Sequence, residues 1–135
     1  MSLVIDSSYT LSWIYGDEIS PAARRMLDAV SSSGAWVPAL WPLEVGNSLQ
    51  MAVRSGRIDV QFRDAALADL ACLDIKIDSE TCRYAWSRTI GLSHQFKLTT
   101  YDACYLELAQ RKMLPMASLD KELRTAAKAL GISVL

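Results

Sequence analysis

Histidine is almost missing from this chain, with His94 alone, and cysteine is scarce, with Cys72, Cys82 and Cys104 far apart. No C-x-x-C pair occurs, so a zinc site or a disulfide framework is not expected, and a reducing cytoplasm suits the three thiols best. One histidine cannot assemble a histidine-rich metal site, and the ordinary role for His94 is structural or merely exposed. No apolar run approaches membrane-spanning length and no basic segment opens the chain, so neither a membrane span nor a secretion signal is expected. The absence of a G-x-x-x-x-G-K-[ST] loop excludes a P-loop nucleotide site. Positive charge is not in excess either: 14 Lys plus Arg stand against 15 Asp plus Glu, for a net charge of −1. That weighs against indiscriminate nucleic-acid binding by a basic surface but leaves room for a local patch.

What is present is a core. Hydrophobic residues make up 51% of 135 and charged residues 21%, the composition of one well-packed globular domain spanning residues 1–135. Strand-like runs alternate with helical patterns. "LVI" reads as a strand and "SYTLSWIY" as a short helix. "SPAARRMLDAVSSSG" reads as a helix with Ser20 at the N-cap, Pro21 at the first position and Gly34 past its end. "AWVPAL" is a second strand, cut short by Pro38. "WPLEVGNSLQMAVRSG" is a helix closed by Gly56, and Asp59 caps "VQFRDAALADLACL". "DIKID" places Ile75 and Ile77 on one strand face. Ser79 is a candidate cap for "ETCRYAWSRTIGLS", and Thr99 for "TYDACYLELAQRKM", whose mostly apolar circumference predicts burial. "LPMASL" and "ISVL" are strands on either side of "DKELRTAAKALG". This is an α/β pattern: a five-stranded, mainly parallel sheet flanked by helices on both faces.

In such sheets, sites form beyond the carboxyl ends of the strands. Asp6 follows the first strand, Glu44 lies in the first turn of the helix after "AWVPAL", Asp102 in the first turn of the helix begun by Thr99, and Asp120 follows "LPMASL". Each is a natural helix cap, worth ~0.3–1 kcal/mol against the helix dipole. Taken together they are also four hard oxygen donors without His or Cys. That is the ligand chemistry of Mg²⁺ or Mn²⁺ acting on phosphodiesters. Two rival phosphate chemistries fit poorly. A haloacid-dehalogenase-like phosphatase needs D-x-D, whereas Ser7 and Ser8 follow Asp6. A receiver domain needs a lysine after a late strand, whereas Lys121 directly follows Asp120 at a helix start.

The stretches "LVIDSSYTLSWIYGDE", "WPLEVGNSL" and "LTTYDACYLELAQRKMLPMASLDKELRTAAKALGISVL" resemble PIN-domain ribonucleases, the toxin half of VapBC-type toxin–antitoxin pairs. The resemblance runs from Leu3 to Leu135, with little contributed by residues 57 to 95. It implies a PIN-like domain whose acidic quartet is Asp6, Glu44, Asp102 and Asp120, binding Mg²⁺ or Mn²⁺ and cleaving RNA with a metal-bound water. By the same resemblance Ser118, Asn47 and Ser8 orient the carboxylates. It further implies a small cognate antitoxin and a homodimer. A non-catalytic interaction module of this fold, or a nuclease acting on DNA, is the alternative.

An RNA substrate needs a landing surface, for which Arg54, Arg57, Lys97, Lys121 and Arg124 are candidates, although exposed cations are more often mere solvation. Trp13, Trp36, Trp41 and Trp86 are expected mostly in the core. Trp13 and Trp41 also fall near the expected rim, where an indole can stack on a base.

Overall fold

The computed structural model describes residues 2–15 and 19–135. Among them are four strands and seven α-helices. β1 (Leu3–Ile5) leads into α1 (Ser7–Ile14) and α2 (Pro21–Ser33), then β2 (Ala35–Val37). α3 (Trp41–Arg54), α4 (Val60–Ala71) and β3 (Ile75–Ile77) follow. α5 (Ile90–Phe96), α6 (Thr100–Lys112), β4 (Met116–Ala117) and α7 (Lys121–Ala129) complete the order.

The strands form one parallel sheet in the order β3-β2-β1-β4, with Val4 opposite both Trp36 and Met116. All three residues of β1 are buried, as a strand covered on both faces requires. The chain steps from β1 to β2 to β3 in one direction and then returns across β1 to β4. Because parallel crossovers are right-handed, this reversal sends α1–α4 to one face and α5–α7 to the other. The crevice between the carboxyl ends of β1 and β4 is therefore the switch point of the sheet.

Local signals in the sequence account for most element ends. Ser20 accepts the Ala23 N–H at 3.1 Å, Asp59 the Phe62 N–H at 2.8 Å, and Thr99 the Asp102 N–H at 3.1 Å. Gly34 closes α2 at φ 76°, and a Cβ there would stand 2.8 Å from Asp74 Oδ2, so only glycine fits. Ala103 through Ala109 of α6 are all buried, in line with the apolar circumference of that segment.

Three expectations need correction. The fifth strand does not form: "ISVL" contributes an isolated parallel bridge, Met116 to Val134, because its partner β4 is only two residues long. Ser79 caps nothing, and the segment after it is not one helix. It runs as a 3₁₀ turn (Thr81–Tyr84), a π turn (Ala85–Thr89) and then α5. Tertiary bonds set that start: Thr81 Oγ1 accepts the Ala39 N–H at 2.9 Å and lies 3.0 Å from Asp78 Oδ2 as donor. Trp86 is not in the core but 92% exposed. Ile75 and Ile77 share one face of edge strand β3, yet Ile77 is half exposed.

Beneath the 3₁₀ turn lies a buried ionic cluster. Arg111 of α6 grips Glu107 through Nε at 2.7 Å and Nη2 at 3.1 Å, and holds both oxygens of Asp78 at the end of β3. Both carboxylates are buried. Burial alone would raise the Asp78 carboxyl, but donation from Arg111 and Thr81 outweighs it and holds Asp78 below its ordinary range. Removing the cation strands two buried charges, so Arg111→Met is expected to cost about 3–5 kcal/mol in urea denaturation. A loss under about 1 kcal/mol would rank the cluster with exposed surface pairs.

Candidate active site

Asp6 leaves β1 with its N–H donating to Ala117 O at 3.1 Å, which ties it to β4. Its carboxylate is almost wholly buried, 4% exposed, and caps α1 by accepting the Tyr9 N–H at 3.3 Å. Both oxygens also take a hydroxyl: Ser8 donates to Oδ1 and Ser118 to Oδ2. Each serine in turn accepts a backbone N–H from the loop after β4, Ser8 from Leu119 at 2.9 Å and Ser118 from Asp120 at 3.0 Å. The two hydroxyls thus lock Asp6 to the opposite lip of the switch-point crevice.

Asp120 forms that lip. It caps α7, with Oδ1 accepting the Leu123 N–H at 2.9 Å. Glu44 and Asp102 sit in the first turns of α3 and α6, and their carboxylates accept no backbone N–H among the described residues. Thr99 already caps α6, which leaves Asp102 free of that duty. Glu44 instead receives a hydrogen bond of 2.6 Å from the Tyr105 hydroxyl.

The electrostatics join the four. Burial raises the Glu44 carboxyl, opposed by the Tyr105 donation and reinforced by the negative charges of Asp102 and Asp6. Burial likewise raises Asp102, with repulsion from Asp120, Asp6 and Glu122 adding to it. Burial raises Asp6 despite the donors around it. None of the four carboxylates makes an ion pair among the described residues. Among the same residues no three Asp, Glu, His or Cys side chains converge closely enough to hold a metal ion as they stand. Mg²⁺ does not require that, since one or two carboxylates and several waters suffice. An all-oxygen donor set with unneutralised charge fits Mg²⁺ or Mn²⁺.

Tyr105 was not among the residues read from the sequence as functional. It is buried, and burial together with Glu44 pushes its phenol far above the ordinary range, so it remains a donor. The signal was its position three residues after Asp102, one helical turn along the same face. Asn47 is exposed on α3 and makes no hydrogen bond, so nothing joins it to the carboxylates. Trp41 is buried and donates to Thr10 Oγ1 at 3.1 Å, while Trp13 donates to Ala23 O at 2.9 Å; neither presents a free ring to the crevice. Of the candidate cations, Arg57 stacks on Tyr15 with its guanidinium carbon 4.1 Å from the ring centre, and Arg54 reaches Met51 Sδ. Arg124 donates to Ser118 O and Leu135 O, bracing the loop behind the acids.

The PIN-domain family model matches residues 3–129. The chain belongs to the PIN-domain family. That family consists mostly of metal-dependent nucleases, often toxins of toxin–antitoxin pairs. Among solved structures, PAE2754 from Pyrobaculum aerophilum aligns with a TM-score of 0.67 at 18% identity, over 99% of this chain and 89% of that one. FitAcB from Neisseria gonorrhoeae aligns with a TM-score of 0.68 at 13% identity, over 100% of this chain and 96% of that one. At such identities these likenesses speak for the PIN fold alone. No curated protein shows a significant sequence match. Among the described residues no helix is long and apolar enough to cross a membrane.

Acids whose folded pKa exceeds the unfolded value bind protons more tightly when folded, so their contribution to stability falls as pH rises through that interval. For Asp6 and Asp102 the interval starts at the ordinary 3.8, and for Glu44 at 4.5. Asp78, held below 3.8, acts in the opposite sense but only at lower pH. The melting temperature of this PIN domain in EDTA should therefore drop as pH climbs above about 4, and Asp102→Asn should flatten the drop. A melting temperature that rises over the same interval in wild type would contradict the raised carboxyls.

Proposed function

We propose that this PIN domain is a Mg²⁺- or Mn²⁺-dependent endoribonuclease, the toxin of a toxin–antitoxin pair. The observation that carries the reading is a set of four carboxylates at the switch-point crevice that make no ion pair among the described residues, with Asp6, Glu44 and Asp102 raised by burial and the last two also by neighbouring acids. Asp6, Glu44, Asp102 and Asp120 would hold the metal, which when bound supplies an activated water and neutralises charge on the phosphodiester oxygens. The chain's own groups do the positioning. Ser8 and Ser118 fix the plane of the Asp6 carboxylate, and Tyr105 fixes one oxygen of Glu44. Asp120 has one oxygen committed to Leu123 N–H, which leaves the other free of that bond.

Asp102→Asn is the cleanest test, because Asp6→Asn would also disturb two serine hydroxyls. The variant should fold, melt higher than wild type in EDTA at neutral pH, and lose cleavage of single-stranded RNA. Wild type at a metal concentration a hundred times its Kd should gain about 2.7 kcal/mol, and the variant much less. Cleavage by clean protein that persists undiminished in EDTA would sink the metal mechanism. Metal binding without cleavage of any RNA would favour the non-catalytic module, and cleavage of DNA alone the DNA-directed nuclease.

The partners follow from apolar surface. A groove of about 500 Å³ lies between α1, α2 and α4, lined by Trp13, Ile14, Leu27, Phe62, Ala66 and Leu70. It suits the apolar face of an antitoxin helix. Leu43, Met51, Ile77 and Trp86 are each at least half exposed, as a homodimer interface would account for. Sedimentation should show a dimer at micromolar concentration, and Met51→Glu or Trp86→Glu should shift it to monomer. A monomer at all concentrations in wild type removes the homodimer.

A further inference from the structure

Between α5 and α7 the structure opens a second pocket of about 410 Å³. Phe96, Lys97, Lys121, Glu122, Thr125 and Ala126 line it. The chain itself ties the pocket to the acids: Lys121 directly follows Asp120, the N-cap of α7. Lys97 and Lys121 differ from the other cations near the site. Arg124 is bound to backbone carbonyls and Arg57 to a tyrosine ring. The two lysines make no ion pair, hydrogen bond or ring contact from their ammonium groups among the described residues, although Glu122 lines the same pocket. The balance at the pocket is two positive charges against one negative, beside a cluster of acids.

The backbone at Lys97 adds a second observation. Lys97 terminates α5 in the left-handed region, at φ 55° and ψ 42°, where glycine is the unstrained residue. The turn is pinned on both sides: Leu98 N–H donates to Ser93 O at 3.1 Å, and Ser93 Oγ donates to Leu98 O at 2.6 Å. The same left-handed geometry ends α6 at Met113, so the conformation marks no function by itself; it fixes where the exposed Lys97 side chain leaves the backbone. Thr125 is turned inward along its own helix, its hydroxyl donating to Lys121 O at 2.9 Å, so it does not compete for the ammonium groups.

We propose that this α5–α7 pocket is a binding subsite for an RNA phosphate outside the scissile bond, held by Lys97 and Lys121 over the Phe96 ring. The inference rests on the nuclease reading above and adds where the strand runs: out of the crevice past Asp102 and Asp120, towards α5. An RNA backbone approaching four carboxylates is repelled by them, and a pair of free ammonium groups one step along the strand offsets that repulsion and fixes the register of the substrate.

The test uses the intact chain, with fluorescein-labelled single-stranded RNA followed by anisotropy in EDTA over a series of KCl concentrations. Lys97→Gly and Lys121→Ala should each weaken binding severalfold and reduce the slope of log K against log salt by about 0.7, the share of one single-strand phosphate contact. Lys128→Ala, on α7 but outside the pocket, should change neither. Lys97→Gly should melt no lower than wild type, which a merely structural lysine would not allow. In Mg²⁺, both pocket variants should raise KM with kcat little changed, the mark of a contact made equally in ground and transition states. Salt slopes and KM identical to wild type in both variants would overturn the subsite while leaving the nuclease standing. Failure of wild type to bind or cleave RNA at all would overturn the nuclease reading, and the subsite with it.

Discussion

Everything at the crevice depends on how the Asp6 carboxylate is held. A buried charge without a cation survives only if its lone pairs are filled, and here two hydroxyls and one backbone N–H fill them. The same two serines accept N–H groups from the loop after β4, so the hydrogen-bond chain runs β1, Ser8 or Ser118, then Leu119 and Asp120. The strand pairing, Ile5 beside Ala117, sets the separation at which this works. Sheet register and site geometry are consequently one constraint. A slip of β4 by a residue would turn Ser118 to the opposite face and leave Asp6 short of a donor.

Two groups of acids among the described residues contrast with one another, and the contrast separates architecture from chemistry. Asp78, Glu107 and Glu80 surround Arg111, which satisfies the buried pair with bidentate contacts and lies over the Tyr84 ring. Asp78 is driven down by its partners. At the crevice the signs reverse: Asp6, Glu44 and Asp102 are all driven up, and none makes an ion pair among the described residues. A fold able to place an arginine between Asp78 and Glu107 has not done so among the quartet. Perturbed acids left without a partner in a cleft are what a site for an external cation looks like.

The sequence disclosed the helix caps better than the sheet. Caps are local, so Ser20, Asp59 and Thr99 could be read from single residues and their neighbours, and the placing of Asp6 and Asp120 at strand ends followed from the alternation of elements. Strand length is not local. Whether "ISVL" pairs depends on how much of "LPMASL" is extended, and β4 keeps only Met116 and Ala117. The segment from Thr81 to Phe96 reads as one helix by period, yet Thr81 and Glu80 are drawn to Ala39 and Arg111, partners 42 and 31 residues away in the chain. Tyr105 was hidden for a related reason. In a helix apolar over most of its circumference its ring explains its presence, and its hydroxyl gains meaning only when Glu44, 61 residues earlier, arrives opposite.

Four unneutralised acids in one crevice also need an account of why the fold tolerates them. The helices α1, α3, α6 and α7 all begin at this rim, because each follows its strand or loop at the carboxyl edge of the sheet. Their N-termini carry partial positive charge, worth about 0.3–1 kcal/mol each to a nearby anion, or roughly 1–4 kcal/mol for four. Two like charges about 6 Å apart at an effective dielectric near 20 repel by about 3 kcal/mol, and four acids make several such pairs. The helix ends therefore offset part of the repulsion and not the whole. That repulsion adds to burial, the larger cause, in raising the Glu44 and Asp102 carboxyls. A stronger internal counter-charge would make a steadier fold and leave these carboxyls less perturbed.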